Sequence, residues 1–128
     1  MNLLLDTVTF VLLTGEPRRL SRRTALLCKD PKNTLFLSSV SVAELIIKHT
    51  LGKFPLPVPP SVFVRQERAE HGIQSLPFDE ASALLLESLP FLHRDPFDRF
   101  LVCQAIAHEL AILTPDAHMA KYKVKTIW

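Results

Sequence analysis

Short apolar runs alternate along this chain with longer stretches of mixed polarity. Leu3–Leu5, Thr34–Ser38, Ile73–Leu76, Ala111–Thr114 and Val124–Trp128 read as short strands, several of them apolar on both faces, as strands buried inside a parallel sheet are. Between them lie segments that suit helices: Thr7–Thr14, closed by Gly15 and Pro17; Arg18–Lys29; a helix capped by Ser41 that runs to about Leu51 and stops at Gly52; Val62–His71; and Phe78–Ser88. The clearest is Asp95–Glu109, where Phe97, Phe100, Leu101, Ala105 and Leu110 include helical spacings. A short helical piece is expected at Asp116–Lys121 and a turn at Asp30–Asn33. Phe54–Pro60 cannot be regular helix, because its prolines lack the amide donor and fix their own torsions. It reads as a loop pinned to the core, or as a contact surface for a partner.

This alternation predicts an α/β fold. The expected architecture is a three-layer α/β/α sandwich around a central, mainly parallel sheet of about five short strands, joined by right-handed crossovers. A length of 128 residues fits one domain spanning 1–128, and 48% apolar with 22% charged residues is ordinary globular composition. No apolar run is long enough for a membrane span, and Asp6 interrupts the opening Leu3–Leu5 before a signal core is complete, so a cytoplasmic protein is expected. Cys28 and Cys103 have no metal or redox spacing and read as reduced, packed thiols.

Candidate chemistry rests on four acids: Asp6, Glu44, Asp98 and Asp116. Three follow apolar runs that read as strands, which places them at the carboxyl edge of a parallel sheet, where ligand crevices form. Each has a local explanation. Asp6 suits a helix cap, Ser41-Val42-Ala43-Glu44 fits a capping box, and Asp98 favours the dipole of its helix. Asp95 before Pro96 is a natural cap, and Thr114-Pro115-Asp116 repeats the theme. Brought together at one edge, however, carboxylates about 4 Å apart repel by roughly 4 kcal/mol per pair at an effective dielectric of 20. No Lys or Arg is obviously placed to neutralise them, and a divalent cation would. Oxygen-only ligands favour a hard ion, magnesium or manganese.

The net charge of +2 identifies no partner by itself, but its distribution is uneven. On a continuous helix, Arg18 with Arg22 and Arg19 with Arg23 would stack at i,i+4 into a basic stripe. That stripe suits phosphate backbones or an acidic partner, or is a solvated helix face. The histidines His49, His71, His93, His108 and His118 read as surface or structural groups, with His93 and Arg94, beside the acidic segment, the best exceptions.

Leu4-Leu5-Asp6-Thr7, Ser38–Ser41 with Glu44, Lys48-His49, Leu51-Gly52-Lys53, His93–Arg99 and Leu113–Asp116 together resemble the PIN-domain ribonucleases, and most of all the VapC toxins of bacterial toxin–antitoxin pairs. The resemblance covers essentially the whole chain in order and spacing, and Arg94-Asp95-Pro96-Phe97-Asp98-Arg99 is its most specific part. It implies that Asp6, Glu44, Asp98 and Asp116 occupy the four metal-site positions, with Asp95 an accessory acid and Thr114 a hydroxyl that orients a carboxylate or water. It further implies a Mg2+-dependent (or Mn2+-dependent) endoribonuclease acting on RNA, a cognate antitoxin and a homodimer. Val8 stands where relatives often have His, and Ala43 where many have an aromatic residue; neither change removes a ligand. For Arg18, Arg19, Arg22 and Arg23 the partner is then RNA, the preferred reading, or an acidic and apolar antitoxin segment. Two other classes remain: an inactive PIN-like interaction module, and a metal-dependent phosphohydrolase of small esters. Only three glycines are available to cradle a lone phosphate, which weighs against the second.

Overall fold

The structure, a computed structural model, describes residues 1–128. Its sheet is built from β1 (Asn2–Leu5), β2 (Thr34–Ser38), β3 (Gln74–Leu76), β4 (Ala111–Leu113) and β5 (Thr126–Ile127), in the order β3-β2-β1-β4-β5. Every pairing is parallel; Leu3–Leu5 sit in register with Leu35–Leu37 on one side and Ala111–Leu113 on the other. Strand β1 is therefore central, which explains why Leu3, Leu4 and Leu5 are all fully buried.

Because successive side chains point to opposite faces, the two halves of the core divide along β1. Leu3 and Leu5 pack with Phe10 of α1 (Thr7–Gly15), Leu45 of α3 (Ser39–Thr50), and Phe63 and Val64 of α4 (Pro60–His71). Leu4 and Ile112 face the other way, onto Leu101, Val102 and Ala105 of α6 (Pro96–His108) and onto Met119 and Tyr122. Helices thus cover both faces, the α/β/α arrangement that the alternation predicts. The Pro-rich loop is pinned to the first of these layers through Phe54, Leu56 and Val58. Cys28 and Cys103 are free thiols, and burial pushes both pKa values up, that of Cys28 to about 11.

Several local expectations are corrected. Pro17–Arg19 forms a 3-10 turn, and α2 begins only at Arg22 (Arg22–Lys29), because the Ser21 hydroxyl accepts the Thr24 amide and caps a fresh helix. The four arginines therefore share no single helix, and the i,i+4 stripe does not form. The cap of α3 is Ser38, whose Oγ accepts the Val40 amide at 3.0 Å; Ser41 lies inside the helix with its hydroxyl buried and unpartnered, so there is no capping box with Glu44. Residues 78–88 hold only a five-residue α5 (Glu80–Leu84) followed by a 3-10 turn, Leu85–Glu87. Residues 116–121 likewise contain a 3-10 turn, Met119–Lys121.

Candidate functional site

With all strands parallel, the residues that follow β1, β2 and β4 emerge at the same edge of the sheet. Strand β1 has neighbours reached by opposite crossovers, and the crevice opens beside it. Asp6 follows β1 directly and caps α1, its Oδ1 accepting the Thr9 amide at 2.7 Å. Glu44 reaches the edge from the second turn of α3. Asp116 follows β4, and Asp98 sits in the first turn of α6. That turn is fixed by Asp95, whose Oδ1 accepts the amides of Phe97 and Asp98, with Pro96 supplying the first helical torsion.

All five acids line one cavity of about 280 Å³, together with Thr7, Val8, Lys48, His93 and Pro115. Asp6 and Glu44 are 3% and 4% exposed, an expensive location for carboxylates unless hydrogen bonds or cations meet them. The hydroxyl of Thr114 donates to Asp6 Oδ2, and that of Thr7 to Glu44 Oε1. Burial raises the Asp6 pKa; the hydrogen bonds from Thr114 and Thr9 only oppose that rise. Asp98 is pushed up to about 7, first by burial and then by the negative charges of Asp95, Asp6 and Glu44, with His93 pulling the other way. Crowding of like charge is thus a property of this cavity.

Two nitrogen groups already sit among these acids: Lys48, contrary to the expectation that no Lys or Arg is placed there, and His93, the histidine expected as an exception. Lys48 lies one helical turn beyond Glu44 and pairs with its Oε2. Burial works to lower the Lys48 pKa, but the hydrogen bond and charge of Glu44, with Asp95 and Asp98 behind it, hold the ammonium above its ordinary value. The i,i+4 spacing of Glu44 and Lys48 on one helix carried that signal in the sequence. His93 Nε2 lies 2.9 Å from Asp98 Oδ2 and 3.0 Å from Asp116 Oδ2. Nε2 is thus placed to donate to both carboxylates, while the Asp95 amide lies 3.4 Å from His93 Nδ1. His93, Asp98 and Asp116 also offer three ligand atoms within 4.8 Å of one another. Neither Thr7 nor Lys48 had a place in the expected site, and the role of Thr7 depends on a contact with Glu44 formed only in three dimensions.

The arginines lie elsewhere. Arg18, Arg22 and Arg23 are exposed, and Arg19 pairs with Glu16 at 3.5 Å while lining an apolar groove with Val8, Val11, Phe54, Leu56 and Phe63.

No curated protein sequence matches the chain significantly. Among solved structures, VapBC2 from Rickettsia felis, bound to a DNA fragment from its promoter, superposes with a TM-score of 0.71 at 18% identity over 99% of this chain and 98% of that one. FitAcB from Neisseria gonorrhoeae gives 0.62 at 24% identity, covering 98% of this chain and 96% of that one. The PIN domain endonuclease Utp24 gives 0.51 at 18% identity, covering 94% and 74%. At such identities these neighbours speak for the fold. The family model described as the PIN domain, in contrast, matches residues 3–125, and the chain belongs to the PIN-domain family.

Proposed function

We propose that this PIN domain, read as one domain over residues 1–128, is a Mg2+-dependent endoribonuclease and the toxin of a type II toxin–antitoxin pair. PIN domains are generally nucleases that use a divalent metal, which supports the hydrolytic half of this reading. The observation that carries it is the convergence of Asp6, Glu44, Asp98 and Asp116 on one cavity, with the Asp98 pKa raised by its acidic neighbours. An oxygen-rich donor set with surplus negative charge fits magnesium, or manganese, better than a softer ion. Asp6, Glu44, Asp98 and Asp116 are the residues that would hold it. When bound, such an ion polarises a phosphodiester and acidifies a water for attack at phosphorus.

The chain's own groups hold this constellation in place. Thr114 and the Thr9 amide fix both oxygens of Asp6, Thr7 and Lys48 fix both oxygens of Glu44, and His93 ties Asp98 to Asp116. Asp95 is a positioning residue, since it holds the first turn of α6 and orients His93 through its amide. Toxin identity follows from the resemblance to VapC, and it brings a cognate antitoxin, a homodimer and action in the cytoplasm into the proposal. The likeness to VapBC2 supports this half of the reading. No helix is long and apolar enough to cross a membrane.

The test is direct. Purified protein incubated with total cellular RNA should generate new 5′ ends, mapped by sequencing, when magnesium is present. None should appear in chelator. Unchanged cleavage in chelator would overturn the metal-dependent reading.

A further inference from the structure

The acidic cavity is not isolated, because His93 lines it and also a second cavity of about 560 Å³. That size lies within the range of cavities that hold a small organic ligand. Its other walls are Phe91, Leu92, Arg94, His118 and Lys121, with no acid among them. Arg94 and Lys121 are exposed and pair with no carboxylate. An acidic cavity and a recess lined by cations thus share His93 as a common wall.

Phe91 is 73% exposed, the most exposed of the large apolar side chains. A single exposed apolar residue means little by itself. This one, however, is held by a cation over its ring and through its flanking backbone. The Arg99 guanidinium lies 4.7 Å from its ring centroid, and Arg99 is itself fixed by the Pro90 carbonyl and the Tyr122 hydroxyl. Tyr122 in turn accepts the Leu92 amide at 3.1 Å. A flat ring is thus presented to solvent on a pinned segment, two residues from His93, beside Arg94 and Lys121, cations that meet no carboxylate, the Lys121 ammonium lying 3.4 Å from His118 Nδ1. Stacking platforms beside cationic grooves are how proteins hold single-stranded nucleic acid without reading its sequence.

We propose that this recess is a single-strand subsite: Arg94 and Lys121 take backbone phosphates next to the scissile one, and a neighbouring base stacks on Phe91. The inference rests on the nuclease reading and names the residues that hold the strand beside the scissile phosphate. A base inside a helix has no free face to offer the ring.

The experiment uses the full chain carrying Asp98→Asn, so that the strand is not cut, and a fluorescent oligoadenylate of about 12 nucleotides. Phe91→Ala should weaken its binding about tenfold or more, without changing the salt slope, and leave the weaker binding of a duplex of equal length unaltered. Phe91→Trp should restore affinity, with tryptophan emission quenched by the oligonucleotide but not by inorganic polyphosphate. The Arg94→Gln/Lys121→Gln pair should flatten the salt slope by about 1.4, two contacts at 0.7 each. If Phe91→Ala leaves oligoadenylate affinity within about twofold while the unmodified chain still cleaves RNA with magnesium, the subsite is overturned and the nuclease reading stands. If Phe91→Ala alters oligomeric state by sedimentation and not RNA affinity, the ring is a protein contact and the proposal also falls. An unmodified chain that neither binds nor cuts RNA overturns both.

Discussion

Asp98 concentrates the electrostatic problem of the cavity in one side chain. Its pKa in the folded protein, about 7, lies above the ordinary value of 3.8, so over that interval the folded chain holds a proton that the unfolded chain has lost. Stability should therefore fall as pH rises from about 4 to 7, and the full cost should be present above 7. A shift of that size on a side chain 16% exposed corresponds to roughly 2–4 kcal/mol. Asp98→Asn should raise the melting temperature of the metal-free protein at pH 8 and change it little at pH 4, as calorimetry at the two pH values would register. It should also cut RNA cleavage by about 100-fold or more. Asp95→Asn should be much milder, within about 0.5 kcal/mol in stability, because Asn caps as well as Asp; a larger loss of activity from Asp95 than from Asp98 would reverse their assigned roles. Lys48→Met would leave Glu44 buried beside like charges, costing about 1–3 kcal/mol without metal, and saturating magnesium should recover most of it in a thermal melt. The acids were visible in the sequence because their local contexts are distinctive. Thr7 was not, since nothing near it points to Glu44, 37 residues further on, and His93, though singled out beside the acidic segment, gave no sign of its second partner, Asp116.

Elements were legible where one signal dominated. β1, β2 and β4 each carry three consecutive apolar residues, and α6 opens with Asp95, Pro96 and Asp98 in the order a helix start favours. Where two signals competed, the wrong one was easily preferred. The arginine run from Arg18 to Arg23 suggested one helix, but the Ser21 cap and the buried Leu20 divide it into a 3-10 turn and α2. Ser41 suggested the start of α3, but β2 ends at Ser38 and the chain turns at once, so Ser38 caps the helix instead. Ser38→Ala should cost about 1 kcal/mol, whereas Ser41→Ala, which removes a buried hydroxyl without a partner, should be neutral or slightly stabilising in urea denaturation. The broken stripe also separates the arginines' expected effects. Arg19→Ala/Arg23→Ala should weaken RNA binding and flatten its salt slope if both meet phosphates. Weaker inhibition by antitoxin with normal RNA cleavage would instead assign the Arg19 groove to the protein partner, and binding titrations with each partner distinguish the two.

At the scale of the whole molecule, alternating strand and helix signals were enough for a covered parallel sheet. They were not enough for strand order, because the placement of β4 beside β1 rests on contacts more than a hundred residues apart, such as the Thr9 hydroxyl donating to the Leu113 carbonyl. That order brings Asp6 and Asp116 to neighbouring strand ends, and the second turn of α3 and the first turn of α6 deliver Glu44 and Asp98 to the same place. The resulting cavity has more carboxylates than its Lys48 and His93 can offset, and metal binding is the consequence the whole account depends on. Manganese titrated into the unmodified protein and into Asp98→Asn, with free ion followed by electron paramagnetic resonance, tests this most directly. Saturable binding is expected in the unmodified chain, competed by magnesium and severely weakened by Asp98→Asn; equal binding by the two proteins, or none by either, would overturn the metal site.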